Sequence, residues 1–524
     1  MLRGFLPLGA LALAACHLVA GLDDYTQGTA SSVATGGGAT STASSGGQGG
    51  SGGAGGSGPG SPILWASNLG SKTTSLTSPV VAQGEFTLLA GIVAPTVNLF
   101  GTTSSPANNV SGNYFGATLD GGITTAPSVK ASFWSRDTTD ISDGEPMELA
   151  TASDGKQTWL GAILKVPGVG GSDSRLVVHP TSADAPILLS TGTGGISHLA
   201  MAATPDGRFL YVGYTLDQDK SVQLLQFDVA QSQALWSTPK RTFSLTAGSH
   251  QLVGMTATNK AVYFATACTG EAFGSVGTPT IPGACIVALD NETLIDGMGT
   301  LAPKQKFGCD DANSKTSPLA LTAVGTRIFL ALESTCAAIP IKAGSTFETG
   351  EPGPAEPNTP PPAPKSFGIF AFDENVVLMM SSFATVAEFT DPISRTPNSS
   401  VVLAPYKSSA HGAMLLVGGA FSNALKVGNQ SLRTAEKAGV QAFVLGLGTD
   451  LTLTDPPLVG VTEGPGSALV QSLASGPTGE LLIGGRHKGT LTLDGVELAA
   501  GENLADDVAF VVAAKEALLH TANP

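Results

Sequence analysis

The sequence predicts an all-β domain carried behind a signal segment and a flexible tether. Three observations predict it. Apolar runs are short and are broken at intervals of roughly 8–15 residues by turn-forming residues, the punctuation of strands and tight turns. Gly, Ser, Thr, Val, Leu and Ala dominate, and only 13% of the 524 residues are charged. A three-part unit of apolar strand, short alternating strand and aromatic strand recurs at a fixed spacing.

The chain begins with a secretory layout. One positive side chain, Arg3, precedes an apolar run from Phe5 to Ala15. That run is too short for a hydrocarbon core, which needs about 20 residues. Residues 1–15 are therefore expected to be a signal peptide. Small residues (Ala12, Ala14, Ala15) lead into Cys16, as a narrow peptidase pocket requires. Leu13-Ala14-Ala15-Cys16 resembles the lipobox of bacterial lipoproteins. That resemblance implies cleavage before Cys16, a diacylglycerol on its thiol and an acylated new amino terminus. The residue after Cys16 is His17 rather than Asp. In Gram-negative lipoproteins an Asp there signals inner-membrane retention, so the resemblance implies the outer membrane. An ordinary cleaved signal with an incidental cysteine is the plainer alternative.

Residues 16–62 are expected to form a disordered tether. No charge occurs from Tyr25 to Ser71, and Gln27 to Pro62 is almost entirely Gly, Ser, Thr and Ala. Such a chain buries too little apolar surface to offset its ordering entropy. Its reach is roughly 30–35 Å, at about 5–6 Å times the square root of length. Gly53, Gly55 and Gly58 satisfy G-x-G-x-x-G, and Gly49, Ser51 and Gly53 satisfy G-x-S-x-G. Neither lies between a strand and a helix, where those motifs act.

Residues 63–524 carry the repeats. "GEFTLLAG" (84–91), "GAMLLVGG" (412–419) and "GELLIGG" (479–485) each run from a turn glycine through an apolar strand to a glycine. Aromatic strands follow at Phe115, Phe443 and Phe510, which lie 24, 24 and 25 residues beyond Gly91, Gly419 and Gly485. "TVNLFG", "ALKVGN" and "TLTLDG" stand between. The last two copies are 66 residues apart, and the first two are 328 apart, near five such periods. That arithmetic predicts seven units, with six or eight also compatible with the irregular middle. Middle candidates begin at Thr158, Arg208, Ala261, Arg327 and Val376. Radial repetition of four-stranded units protects strand edges in a β-propeller, and this is the predicted fold. The G-x-L-L-x-G-G unit resembles bacterial propeller repeats of the SBBP type. "TPDGRFLYVGY" (204–214) resembles lactonase-like propellers, although a Pro-Asp-Gly turn also precedes strands elsewhere. "PGPAEPNTPPPAP" (352–364) reads as a stiff loop between blades, spanning 350–366. A short helix after Ala514 is compatible with the closing residues.

One closure follows from this count. The last copy runs out soon after Val512, with only about a dozen residues left, while "PILWASNL" (62–69) precedes the first copy with no inner strands of its own. Ile63–Ser67 is therefore expected to pair antiparallel with Val508–Ala513 and to close the ring.

Candidate chemistry is sparse. Four cysteines remain: Cys268, Cys285, Cys309 and Cys336. An even number in an exported chain implies disulfides. The pairing expected is Cys268–Cys285 with Cys309–Cys336, of three possible connectivities. No spacing matches a zinc or haem pattern. Asp217, Asp219, Asp310, Asp311 and Asn313 offer oxygen atoms in loops but fit no calcium loop. No catalytic residue, cofactor or metal is assigned. The net charge of −15 and the lack of any basic run oppose nucleic-acid binding. The expected function is a lipid-anchored surface binding or scaffold protein, a monomer with a protein or glycan ligand. The alternative is a lactonase-like hydrolase with a metal in the central funnel.

Overall fold

The computed structural model describes residues 55–56, 62–69, 77–83, 87–93, 97–99, 102–104, 113–120, 128–134, 145–168, 171–180, 187–190, 195–229, 241–245, 248–269, 283–291, 299–300, 304–308, 316–334, 338–342, 345–348, 367–382, 401–421, 424–427, 430–434, 440–454, 458–462, 466–476, 479–499 and 508–516. Among them, seven sheets contain four or more strands, each an antiparallel meander at its core. In chain order the first comprises Thr77–Gln83, Thr87–Val93, Asn113–Asp120 and Ser128–Trp134. The second comprises Glu145–Ser153, Thr158–Gly168, Gly171–Pro180 and Ile187–Ser190. Ile196–Ala203, Phe209–Leu216, Ser221–Asp228 and Arg241–Leu245 make the third. Ser249–Ala257, Ala261–Thr269, Gly283–Asp290 and Gln305–Phe307 make the fourth. The fifth is Thr316–Val324, Arg327–Ser334, Phe367–Phe372 and Leu378–Ser382. The sixth is built on Val401–Ser408, Gly412–Phe421, Gln441–Gly448 and Leu458–Thr462. The seventh takes Ser467–Ser475, Leu481–Lys488 and Val508–Ala514 from the end of the chain, and Ile63–Leu69 from its beginning.

The sheets form a ring. First strands of successive sheets touch in a closed circuit, with Ser467–Ser475 of the seventh against Thr77–Gln83 of the first. Apolar clusters fill the gaps between neighbours. Leu224, Phe243, Phe264 and Val287 join the third sheet to the fourth, for example, and Leu416, Val444, Ile483 and Val512 join the sixth to the seventh. Burial explains the sequence pattern. Second and third strands are sandwiched between neighbouring sheets, so Phe209–Tyr214 and Gln441–Leu447 are buried on both faces and read as continuous apolar runs. First strands have one face toward the ring axis, and Ser467–Ser475 alternates between buried and half-buried. The fold is an all-β propeller.

The seam closes as the sequence arithmetic predicts. Ile63–Leu69 pairs antiparallel with Val508–Ala514, with Ala66 opposite Val512 and Ser67 opposite Val511. Trp65 is 1% exposed and packs with Val81, Leu89, Phe115, Val511 and Ala513, between the seventh sheet and the first. Gly55 and Gly56, inside the expected tether, pair with Ala66 and Trp65.

The fixed 24–25-residue spacing has a structural cause. Gly91 stands directly opposite Phe115, Gly419 opposite Phe443 and Gly485 opposite Phe510. Each pair joins the second strand of a sheet to its third. A Cβ on Gly485 would lie 2.2 Å from the Leu469 carbonyl oxygen and 2.6 Å from the Phe510 ring, so the site excludes any side chain. The intervening short strands form two-stranded ribbons: Val97–Leu99 with Thr102–Ser104, Ala424–Val427 with Gln430–Thr434, and Leu491–Leu493 with Val496–Leu498. The last ribbon joins the outer strand of the preceding sheet, with Leu493 opposite Gly460.

Two expectations need adjustment. The strands at Thr158, Arg208, Ala261 and Arg327 are second strands of sheets two to five, but the stretch from Val376 supplies a fourth strand, Leu378–Ser382. Phe367–Phe372 precedes it as the third strand, so no new unit starts there. The Pro-rich stretch falls between the second and third strands of the fifth sheet rather than between sheets; residues 349–366 lie outside the described residues. The stretch 508–514 is strand, as its alignment with the earlier aromatic strands favours, and both its edges are paired; residues 517–524, where the sequence is compatible with a short helix, lie outside the described residues.

Candidate functional site

In an antiparallel meander, the start of the first strand, the end of the second and the start of the third share one end of the sheet. This end of the ring is called the mouth here. First strands are irregular near it. Register breaks occur at Thr77/Val80, at Pro146/Glu148, at Ser197/Ala200, at Leu252/Gly254, at Pro318/Ala320 and at Val470/Ser472. A bulge inserts an unpaired residue and re-aims its side chain. Met147 is 50% exposed, and His198, Val253, Leu319 and Gln471 are partly exposed. The bulges thus gather a mixed apolar and polar rim around the axis.

The richest polar group sits where the third and fourth sheets meet. His198 occupies the bulge with φ 57°, a left-handed conformation uncommon outside glycine and tolerated best by Asn, Asp and His. Its Nε2 contacts Gln251 Nε2 on the next first strand. The Ser197 hydroxyl donates to Asp217 Oδ1 at 2.6 Å. Lys220 Nζ lies 3.7 Å from that same oxygen. The His250 backbone N–H donates to the Lys220 carbonyl at 2.6 Å, which ties the 217–220 turn to the fourth sheet. Burial holds the His198 imidazole below its usual pKa; Asp217 pulls it up and Lys220 pushes it down. The ring is therefore neutral at pH 7. Because the Ser197 hydroxyl is committed to Asp217, these residues do not form a nucleophile relay through His198. They present a neutral imidazole, an amide, a carboxylate and an ammonium side by side, which suits recognition by hydrogen bonds.

Two further amides stand near the mouth. Gln441 opens the third strand of the sixth sheet, is 2% exposed, and neither of its amide atoms has a hydrogen-bond partner among the described residues. Gln471 Oε1, on the bulge of the seventh sheet, is likewise buried without one. Buried polar groups left over by the protein are ordinarily satisfied by water or by a ligand.

Cys268 and Cys285 are joined by a disulfide linking the second and third strands of the fourth sheet. Cys16, Cys309, Cys336, Asp310, Asp311 and Asn313 lie outside the described residues. Asp219 accepts from the backbone and hydroxyl of Ser221, so the 217–219 carboxylates are engaged within their own turn and its neighbours. Sequence reasoning missed the His198–Gln251–Asp217 group. A signal was available: Ser-His occurs at 197–198 and again at 249–250, at the start of two consecutive first strands.

No protein-family model and no curated protein matches the chain. Among solved structures it is similar to the β-propeller domain of the Trilobed protease from Pyrococcus furiosus, at 11% identity over 83% of this chain and 99% of that one, with a TM-score of 0.38. It is similar to prolyl oligopeptidase B from Galerina marginata, at 8% identity over 76% of this chain and 45% of that one, with a TM-score of 0.34. Trypanosoma rangeli sialidase is similar at 8% identity over 88% of this chain and 57% of that one, with a TM-score of 0.33. The chain thus spans about half the length of the last two proteins.

Proposed function

We propose that this chain is a lipid-anchored, extracytoplasmic propeller of seven blades that binds a ligand at its mouth. The observation that carries the reading is the bulged rim, with His198, Gln251, Asp217 and Lys220 gathered where two sheets meet. A hydrogen-bonding group whose one carboxylate and one ammonium offset each other, beside partly exposed apolar residues, suits a neutral glycan or an extended peptide segment more than a polyanion. The anchor rests on Cys16 at the end of the lipobox-like stretch, and the outer-membrane location rests on His17 after it. The tether places the ring some tens of ångströms from the lipid surface.

The test is a glycan and peptide array probed with the purified ectodomain, followed by His198→Asn, which keeps a residue that tolerates the left-handed conformation, and Gln251→Ala. Each substitution should weaken binding of a hit by roughly tenfold or more, the equivalent of about 1.4 kcal/mol, without moving Tm. Hits that bind both variants at parent strength would place the ligand elsewhere.

A further inference from the structure

We propose that Cys268, Cys285 and His250 form, once their disulfide is reduced, a buried site for one divalent thiophilic cation of the zinc class. The three side chains converge from three adjacent strands of the fourth sheet. His250 stands directly opposite Cys268, and Thr266 directly opposite Cys285. Thr266 and Cys268 are two apart on one strand, so all four side chains share one face. All four are 0% exposed. The ligand atoms of His250, Cys268 and Cys285 lie within 4.8 Å of one another. Tetrahedral zinc, with bonds of about 2.0–2.3 Å, needs donors about 3.3–3.8 Å apart. Shifts on the order of 1 Å therefore suffice, once the sulfurs are free to part.

The surroundings suit such an ion. Thr266 Oγ1 lies 3.1 Å from His250 Nδ1 and orients the ring, as outer partners of metal-bound histidines do. Two thiolates, one neutral imidazole and one divalent cation sum to zero charge, which a dry interior tolerates; a monovalent ion would leave an unpaired negative charge. The reaction balances with an external dithiol. Its two thiols give two electrons and two protons to the Cys268–Cys285 bond, and the reductant leaves as its own disulfide. The cation then displaces one proton from each cysteine. Sequence spacing hid the site, because its ligands come from separate strands rather than one short motif.

The test uses the full chain carrying Cys16→Ser, reduced with a dithiol, freed of it without air, and titrated with Co2+ and then Zn2+. The expected result is one Co2+ per chain with a near-ultraviolet thiolate-to-cobalt band that Zn2+ abolishes. His250→Gln should weaken binding by roughly 100-fold or more, beyond the usual loss from removing an outer partner. Cys268→Ser should abolish the band, and Cys309→Ser with Cys336→Ser should leave it intact. A band that survives Cys268→Ser, or that disappears when only Cys309 and Cys336 are replaced, overturns the proposal. So does the absence of stoichiometric binding. If reduction unfolds the chain, Zn2+ should restore its β circular dichroism in the parent but not in Cys268→Ser; failure to restore the parent also overturns it.

Discussion

At the residue scale, two positions show how local chemistry constrains the ring. Gly485 is required by close approach, since the Leu469 carbonyl and the Phe510 ring occupy the space a Cβ would take. Gly485→Ala must push backbone or a buried aromatic aside, and overpacking of this kind costs about 1–3 kcal/mol. Chemical denaturation should show that loss. An unchanged midpoint would mean that the strand pair can yield. His179, on the third strand of the second sheet, is 5% exposed, and burial drives its pKa from 6.5 to about 3. The unfolded chain then binds a proton that the folded chain refuses. This contribution is absent above about pH 6.5 and erodes stability as pH falls toward 3, by up to about 1.4 kcal/mol per pH unit. Denaturant midpoints measured from pH 7 to pH 4 should fall more steeply in the parent than in His179→Gln. Equal slopes would show that His179 titrates normally.

At the element scale, the seam strand closes the ring. Ile63, Trp65, Ala66 and Leu69 are each at most 1% exposed, and burying a large apolar side chain contributes roughly 1.5–3 kcal/mol. Polar contacts reinforce them. His487 Nε2 lies 3.0 Å from Asn68 Oδ1, and Asn68 Nδ2 donates to the Ala499 carbonyl at 2.9 Å. A chain starting at residue 70 would leave Val508–Ala514 with an open edge, ready to pair with another molecule. Such a truncation should unfold at lower denaturant by several kcal/mol and should associate with rising concentration in size-exclusion chromatography. A truncated chain as stable and monomeric as the parent would show that the seam is dispensable.

At the scale of the whole molecule, the ring and the proposed anchor divide the labour. The ring presents a mouth, and in the proposed reading the stretch between Cys16 and the ring would set its distance from the membrane. If Cys16 bears the lipid, Cys16→Ser should abolish metabolic palmitate labelling and release the protein into the soluble fraction. Full labelling of that variant would remove the anchor from the account. A diacylglycerol on Cys16 would bring two acyl chains, which hold a protein stably, so loss of the amino-terminal acyl group alone should leave it in the membrane fraction.

The sequence by itself determined the all-β class, the repeating unit and the closure by Ile63–Ser67, whereas the structure selected Cys268–Cys285 among the connectivities left open. The first three rest on local composition or on a spacing along the chain. The interval from Gly485 to Phe510 is legible because a hairpin-like pairing converts sequence distance directly into a contact. Only the tertiary structure decided the mouth. His198, Gln251 and Asp217 come from separate strands and a turn, and a bulge in one first strand sets where His198 stands. The Val376 stretch shows the same limit from the other side: an apolar strand announces itself, but its rank within a sheet depends on what pairs with it. Linear patterns record which residues seek burial. Which ones meet is settled by register and by ring closure, and those depend on residues tens to hundreds of positions away.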